Sequence, residues 1–153
     1  MMHTDLKEPL RHACRQASIL AEKKHLVITE SLSEKPLWVQ GDCSSLERLF
    51  LVLLDNAVKY TEEGGSIDVR LDSQNGFATA SIHDSGIGIA ASDMPHIFER
   101  FYRADVARSR DIGGIGLGLA IGNWIAQVHN GEIRVESELA KGSRFEVRLP
   151  LVK

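Results

Sequence analysis

The stretch Asp84-Ser85-Gly86-Ile87-Gly88-Ile89 determines how the rest of the chain is interpreted. It follows the run from Phe77 to His83, in which apolar and polar residues alternate as in a strand with one buried face. Asp84 is therefore predicted to end a strand. The two glycines permit positive φ and a close approach of the backbone to a ligand, and the carboxylate can accept a hydrogen bond from a flat polar group. The stretch predicts a binding site, and a plain strand-to-loop turn is the alternative.

The composition indicates one soluble domain, covering residues 1–153. The chain has 153 residues, of which 43% are hydrophobic, enough for a core of its own. Its net charge of −3 gives no basic excess for binding nucleic acid. Cys14 and Cys43 form neither a disulfide framework nor a metal-ligand pattern. No apolar run approaches the ~18 residues of a membrane span, and the start lacks a signal-peptide core.

Two helices are predicted before the central stretch. Between Asp5 and Lys24, apolar residues at three- and four-residue spacing indicate an amphipathic scaffold helix; they are Leu6, Leu10, Ala13, Ala17, Leu20 and Ala21. The second helix starts at the N-cap residue Asp42, and its apolar face comprises Leu46, Leu49, Phe50, Leu53, Leu54 and Ala57. Its last turns place three polar side chains on one edge, at i, i+3 and i+4: Asn56, Lys59 and Tyr60. A solvated helix end is the alternative for each of them.

The remaining patterns predict strands. The ranges 25–30 and 37–40 are single strands, 66–71 and 77–83 form a hairpin around an Asn-Gly turn, and 132–137 and 143–149 form a closing hairpin. Single helices separated by strands and hairpins indicate an α+β fold. We expect a two-layer α/β sandwich, with one mixed, mostly antiparallel sheet carrying helices on one face and a largely solvated other face.

A glycine-rich segment, Gly113 to Gly118, leads directly into a predicted helix from Leu119 to His129. The predicted buried face of that helix comprises Leu119, Ala120, Trp124, Ile125 and Val128. Free N–H groups and the helix dipole favour phosphate at such a helix start, whereas a hinge with close packing is the alternative. The polar connection before it, 90–113, contains the aromatic segment Phe98 to Arg103 and is typical of a functional lid.

Taken in order, these stretches resemble the catalytic ATP-binding domain of bacterial two-component sensor histidine kinases, in the wider group shared with gyrase, heat-shock chaperone and mismatch-repair ATPases. Leu53 to Tyr60 is similar to the family's N box, Asp84 to Gly88 to its G1 box, Phe98 to Arg103 to its F box, and Gly113 to Leu119 to its G2 box. The resemblance covers nearly the whole chain and implies the Bergerat ATP-binding fold.

The resemblance implies a role for each matching residue. Asp84 would take the adenine amino group, Asn56 would bind Mg²⁺, and Lys59 would meet phosphate, with catalysis carried by Asn56, Lys59 and Arg103. The other implied ATP-binding residues line the nucleotide, hold the phosphates or belong to the lid: Tyr60, Gly86, Gly88, Tyr102, Arg103, Gly114, Gly116, Leu117, Gly118 and Leu119.

The chain departs from the family pattern at two positions. Val52 stands where the N box usually begins with Asn and where the related ATPases carry a catalytic Glu, so slow hydrolysis is expected. Ile115 stands where the G2 box usually has Thr or Ser. No phosphoacceptor box is identifiable, because the segment from Thr4 to Leu10 has Thr at the His position.

The resemblance implies a piece of a longer receptor, itself cytoplasmic and, as an isolated domain, monomeric. Its parent would be dimeric and often membrane-anchored, would phosphorylate the histidine of its own dimerisation domain, and would pass the phosphate to a response regulator. Two other functions remain open, an anti-sigma-type serine protein kinase and a degenerate module that binds nucleotide or a partner. A dinucleotide fingerprint, Gly86-x-Gly88-x-x-Ala91, is disfavoured because Pro95 and the aromatic segment occupy the space of the required helix and strand.

Overall fold

The computed structural model describes residues 2–99 and 118–152. Its helices are α1 (Lys7–Lys23), α2 (Cys43–Tyr60) and α3 (Gly118–Val128), with a short 3₁₀ helix at Met94–His96. Its strands are β1 (His3–Asp5), β2 (Val27–Leu32), β3 (Trp38–Gln40), β4 (Ser66–Gln74), β5 (Phe77–Asp84), β6 (Glu132–Glu138) and β7 (Gly142–Pro150).

Five strands form the main sheet, in the order β2-β4-β5-β7-β6. Only the β2–β4 pair is parallel, so the predicted mixed, mostly antiparallel sheet is confirmed. Alternation along β4 and β5 sends apolar residues such as Val69 and Ile82 into the core. The intervening charged residues, including Asp68 opposite His83, lie on the other face. Since α1 packs on β2, α2 on β5 and α3 on β6, the two-layer sandwich is confirmed.

A second, two-stranded sheet was not predicted. β3 pairs antiparallel with β1, with Thr4 opposite Val39, and it is linked to the main sheet through a bridge from Val39 to Leu151, the residue that follows β7. The expectation of a single sheet was therefore wrong. The three residues of β1 are too few to show a period-two pattern, so β1 escaped sequence reasoning, whereas β3 was predicted within the range 37–40.

The buried stripes of two helices differ from the prediction. On α1, Leu20 is 43% exposed, and the stripe is completed by the buried Cys14. On α3, the predicted core residues Trp124 and Val128 are 63% and 42% exposed, whereas Ile125 is buried as predicted. The predicted buried side of α3 was wrong at these two residues because the buried Gly122 has no side chain and does not contribute to a hydropathy pattern. The predicted apolar stripe was therefore rotated away from the side of the helix that packs.

The local turn and cap signals are confirmed. Asn75 and Gly76 both have positive φ, 52° and 84°, as a two-residue hairpin turn requires. Asp42 caps α2, because its Oδ2 accepts hydrogen bonds from the backbone N–H and the hydroxyl of Ser45 at 3.0 and 2.7 Å. None of the helices in the described part of the chain combines the length and apolar content needed to cross a membrane.

Candidate functional site

Asp84 is the last residue of β5, as predicted, and it is only 3% exposed. Its Oδ1 accepts hydrogen bonds from the backbone N–H of Gly86 at 2.9 Å and of Ser143 at 3.3 Å. Burial raises the pKa of the Asp84 carboxyl, while these two N–H donors act in the opposite direction. The chain thus holds a buried acceptor in a fixed orientation at the end of a central strand.

Gly86 and Gly88 are required by the protein's own backbone. A Cβ on Gly86 would overlap the carbonyl oxygen of Tyr60, and a Cβ on Gly88 would overlap that of Glu138. Gly88 also has a φ of 75°, which L side chains rarely adopt. Sequence reasoning assigned these glycines to the approach of a ligand, whereas the structure shows that they let the loop after Asp84 pack against two other elements.

Hydrogen bonds fix this loop to the end of α2 and to the β6–β7 turn. The N–H of Ile87 donates to the Tyr60 carbonyl at 3.1 Å, and the Ile87 carbonyl accepts from Ala140 at 2.9 Å. The N–H of Ile89 donates to the Ser137 hydroxyl at 2.7 Å. The loop therefore brings Asp84 and the last turn of α2 to the same end of the sheet.

The polar edge of α2 is half-buried at Asn56, Lys59 and Tyr60. Lys59 Nζ lies 3.0 Å from Asp55 Oδ2, in a pair whose side chains are 38% and 35% exposed. Such a half-exposed pair contributes little to stability. It instead holds the ammonium group beside the turn that carries Asn56.

Lys24 supports the same helix end. Its Nζ donates to the carbonyl oxygens of Val58 at 2.8 Å and Lys59 at 3.3 Å, which are among the last carbonyls of α2. A cation at a helix C-terminus also interacts favourably with the helix dipole. Sequence reasoning missed Lys24, because nothing local connects the end of α1 to the end of α2.

Helices α2 and α3 run antiparallel and approach closely where α3 has glycine. Val52 Cγ1 lies 3.6 Å from the position a Cβ would take on Gly118, and 3.5 Å from that on Gly122. Val52 therefore packs against the first turns of α3. Asn56 lies one helical turn further along α2, so its spacing from Val52 puts it on the side of α2 that packs against α3.

Several predicted residues lie outside the described residues: Tyr102, Arg103, Gly114, Gly116 and Leu117, together with Ile115. Of the predicted G2 residues that are described, Gly118 is exposed and Leu119 is half-buried. Within residues 2–99 and 118–152, no group of three or more His, Cys, Asp or Glu side chains could hold a metal ion.

Two further residues that sequence reasoning missed lie at the β6–β7 turn. Ser143 holds Asp84, and Gly142 packs so tightly that a Cβ would overlap the Asp84 carbonyl oxygen. The Lys141-Gly142 signal was interpreted only as a hairpin turn. A turn signal carries no information about which distant strand the turn meets.

A groove of about 600 Å³ lies on the opposite, solvated face of the sheet. The cations that line it are paired with neighbouring acids, Arg70 with Asp68 at 2.9 Å and Lys141 with Glu138 at 3.4 Å. Cations and acids therefore alternate along the lining, and the groove does not present charges of a single sign to a ligand. The end of the sheet where the Asp84 carboxylate is buried therefore remains the candidate binding site.

Comparison with known proteins agrees with this geometry. The family described as "Histidine kinase-, DNA gyrase B-, and HSP90-like ATPase" matches residues 41–153. The sensor histidine kinase RppB of Synechocystis is 45% identical over 132 residues, which make up 86% of this chain and 29% of RppB. The chain therefore spans less than a third of that relative's length.

Solved structures agree along nearly the whole chain. The mycobacterial sensor histidine kinase MprB superposes with a TM-score of 0.84 at 30% identity, covering 98% of this chain and 97% of that one. Full-length ShkA, solved in complex with AMPPNP, has a TM-score of 0.85 at 27% identity, covering 99% of this chain and 31% of that one. With a matching family profile over residues 41–153, a 45% identical relative and this shared fold, the chain belongs to the family of histidine kinase-, DNA gyrase B- and HSP90-like ATPases.

Proposed function

We propose that this domain binds ATP with Mg²⁺ and, within a longer protein, transfers the γ-phosphoryl group to a histidine on a dimerisation helix. The observation that carries the proposal is the orientation of the Asp84 carboxylate. Both hydrogen bonds that described residues make to it go to Oδ1. The other oxygen, Oδ2, is then the acceptor for the adenine amino group.

The last turns of α2 would meet the phosphates and the metal. The Asn56 amide oxygen is a hard ligand suited to Mg²⁺, which typically takes one or two protein ligands and completes its shell with phosphate and water. Mg²⁺, when bound, neutralises charge that develops on the transferred phosphoryl group. Lys59 supplies a second positive charge from the same helix edge, while Tyr60 lines the nucleotide. Transfer demands little of a protein beyond such positioning and neutralisation.

The start of α3 would complete the phosphate site. A helix N-terminus offers free N–H groups and the positive end of the dipole to an anion. Asn56 and Gly118 lie on the facing sides of two antiparallel helices. Gly114, Gly116 and Leu117 before this helix start, and Tyr102 and Arg103 of the lid, keep the roles that the family resemblance implies.

Calorimetric titration with a non-hydrolysable ATP analogue, with and without Mg²⁺, tests the site. We expect wild-type binding to strengthen with Mg²⁺ and the Asn56→Ala variant to lose that gain. Gln127→Ala, an exposed change on α3, is the matched control and should keep it. Binding that ignores Mg²⁺ in the wild type would contradict the metal role of Asn56, and no binding at all would contradict the nucleotide site.

The packing of Val52 favours one rival function. Its side chain contacts the start of α3 with apolar atoms, where a polar group would be needed to orient water, so a degenerate nucleotide- or partner-binding module is the second candidate. Labelled phosphate transfer separates the two. Transfer from ATP to a supplied sensor-kinase hairpin bearing the phosphoacceptor histidine is expected of a kinase. Tight ATP binding without transfer would favour the module, and transfer to serine would favour an anti-sigma-type kinase.

The partners follow from this proposal. The parent protein would supply the dimerisation helices, and a response regulator would accept the phosphate from the histidine. We place the domain in the cytoplasm, where ATP is available, and expect it to be monomeric when separated from the dimerisation helices. Sedimentation at increasing concentration tests the last point.

A further inference from the structure

His129 joins the two helices that carry the proposed nucleotide site, at the ends remote from it. The side chain follows the last residue of α3 and is only 5% exposed. Its Nδ1 lies 2.8 Å from the Ile125 carbonyl oxygen, and its Nε2 lies 3.3 Å from the backbone nitrogen of Asp42. A carbonyl only accepts and a backbone N–H only donates, so the ring carries its hydrogen on Nδ1 and accepts at Nε2.

The ring also sits directly on Gly41. A Cβ at Gly41 would lie 2.6 Å from His129 Cδ2, closer than real Cβ contacts. Asp42, the next residue, is the N-cap of α2, so the imidazole is in contact with the turn that starts that helix. One side chain therefore fixes both the distance and the direction between the end of α3 and the beginning of α2.

The other contacts between these helices are less directional. Gly122, in the middle of α3, has no side chain to interlock with Leu49 and Val52, which lie 3.4 and 3.5 Å from the position its Cβ would take. Apolar packing through Ile125 and Ala126 is likewise non-directional. Because this close approach has no interlocking side chains, the tilt of α3 depends on its packing against the sheet and on the contact that holds its C-terminal end.

We infer that His129 is a positioning residue for the nucleotide site, because the Asp42–His129–Ile125 connection sets where the N-terminus of α3 lies relative to Asn56. The inference rests on the proposed function, which places phosphate between that helix start and Asn56. α3 has 11 residues and spans about 16 Å, so a tilt at His129 becomes a displacement at Gly118.

The test compares His129→Ala with Leu71→Ala, a buried change on β4 outside the α2–α3 contact. All variants are measured well below their melting temperatures. We expect His129→Ala to weaken binding of the ATP analogue about tenfold, since small misplacements of binding groups are costly. It should also shift the amide resonances of Gly118 and Gly122 without nucleotide. Leu71→Ala should do neither, despite losing at least as much thermal stability.

A second variant approaches the same contact from the other side. Gly41→Ala pushes against the ring and keeps His129, so it should weaken binding and move the same two resonances. In the His129→Ala background the overlap with the ring is gone, and the added methyl group meets only the end of the Leu46 side chain, 3.0 Å away, so the further effect should be small. Coupling of the two changes supports the inference, whereas independent, additive effects overturn it.

The outcomes separate the two proposals. Unchanged affinity and unchanged glycine resonances in His129→Ala overturn the positioning role, as does equal weakening by Leu71→Ala. Failure of the wild type to bind any nucleotide overturns the proposed function instead, while the glycine resonances still decide whether His129 sets the position of α3.

Discussion

The carboxylate of Asp84 and the backbone N–H of Ser143 are hydrogen-bonded at 3.3 Å across 59 residues of sequence. The two residues face each other in the β5–β7 register, at the end of both strands where the site lies. A hairpin turn therefore orients the acceptor that we assign to adenine.

Asp84→Asn should weaken nucleotide binding without disturbing the fold. An amide oxygen can still accept from Gly86 and Ser143, but the amide nitrogen then presents a donor to the adenine amino group. We expect a loss of about 1.5–3 kcal/mol, ten- to a hundredfold in affinity, measured by calorimetry. Asp72→Asn, which removes one exposed carboxylate, is the control. Equal affinity in wild type and Asp84→Asn would refute the adenine contact.

The wild type and Asp84→Asn should also differ in how their stability depends on pH. Burial raises the folded-state pKa of Asp84 above its ordinary value of 3.8, so the folded state binds the proton more tightly than the unfolded state. The contribution of this carboxyl to stability is then fully present below pH 3.8 and is lost as pH rises through the folded-state pKa.

Asp84→Asn removes this titration and leaves the other acids in place. Its free energy of unfolding should exceed that of the wild type at neutral pH, by a margin that shrinks as the pH approaches 3.8. Urea unfolding of both proteins across that range measures the margin. A margin that stays constant with pH would show that burial does not raise the pKa of Asp84.

Gly142→Ala should be far more destabilising than the same change at Gly76. Both glycines have positive φ, 106° and 84°, so both variants incur backbone strain of ~1–2 kcal/mol. Only at Gly142 would the Cβ also overlap the Asp84 carbonyl oxygen, whereas at Gly76 nothing lies within 4 Å. We expect Gly142→Ala to lose several kcal/mol or fail to fold. Equal losses in urea unfolding would mean that the turn simply moves aside.

Lys24→Met should loosen the end of α2 that carries Lys59. The substitution keeps an unbranched side chain and removes the donor to two helix carbonyls, at a cost of about 1 kcal/mol. Lys23→Met, an exposed change one residue earlier, is the charge-matched control. Hydrogen exchange should quicken at the amides of residues 59–65 in Lys24→Met alone. Similar exchange in both variants would indicate that Lys24 acts only through net charge.

The sequence alone determined the local structure and the order of the site's parts. Alternation from Phe77 to His83, the Asn75-Gly76 turn and the Asp42 cap depend on neighbouring residues, so they were correctly predicted. The sandwich followed from the order of those elements, and the placement of Asp84 at a strand end was confirmed. The roles of Asn56 and Lys59 remain predictions that the experiments above test.

Only the tertiary structure decided which distant residues contact each other. Ser143 as the partner of Asp84, Lys24 at the end of α2 and His129 on Gly41 each join residues far apart in sequence, and no local pattern encodes such a meeting. The tertiary structure also decided which side of α3 is buried, because Gly122 allows close packing by lacking a side chain. Hydrogen bonds and close contacts depend on distance in space, whereas periodicity reports only which side of an element is apolar.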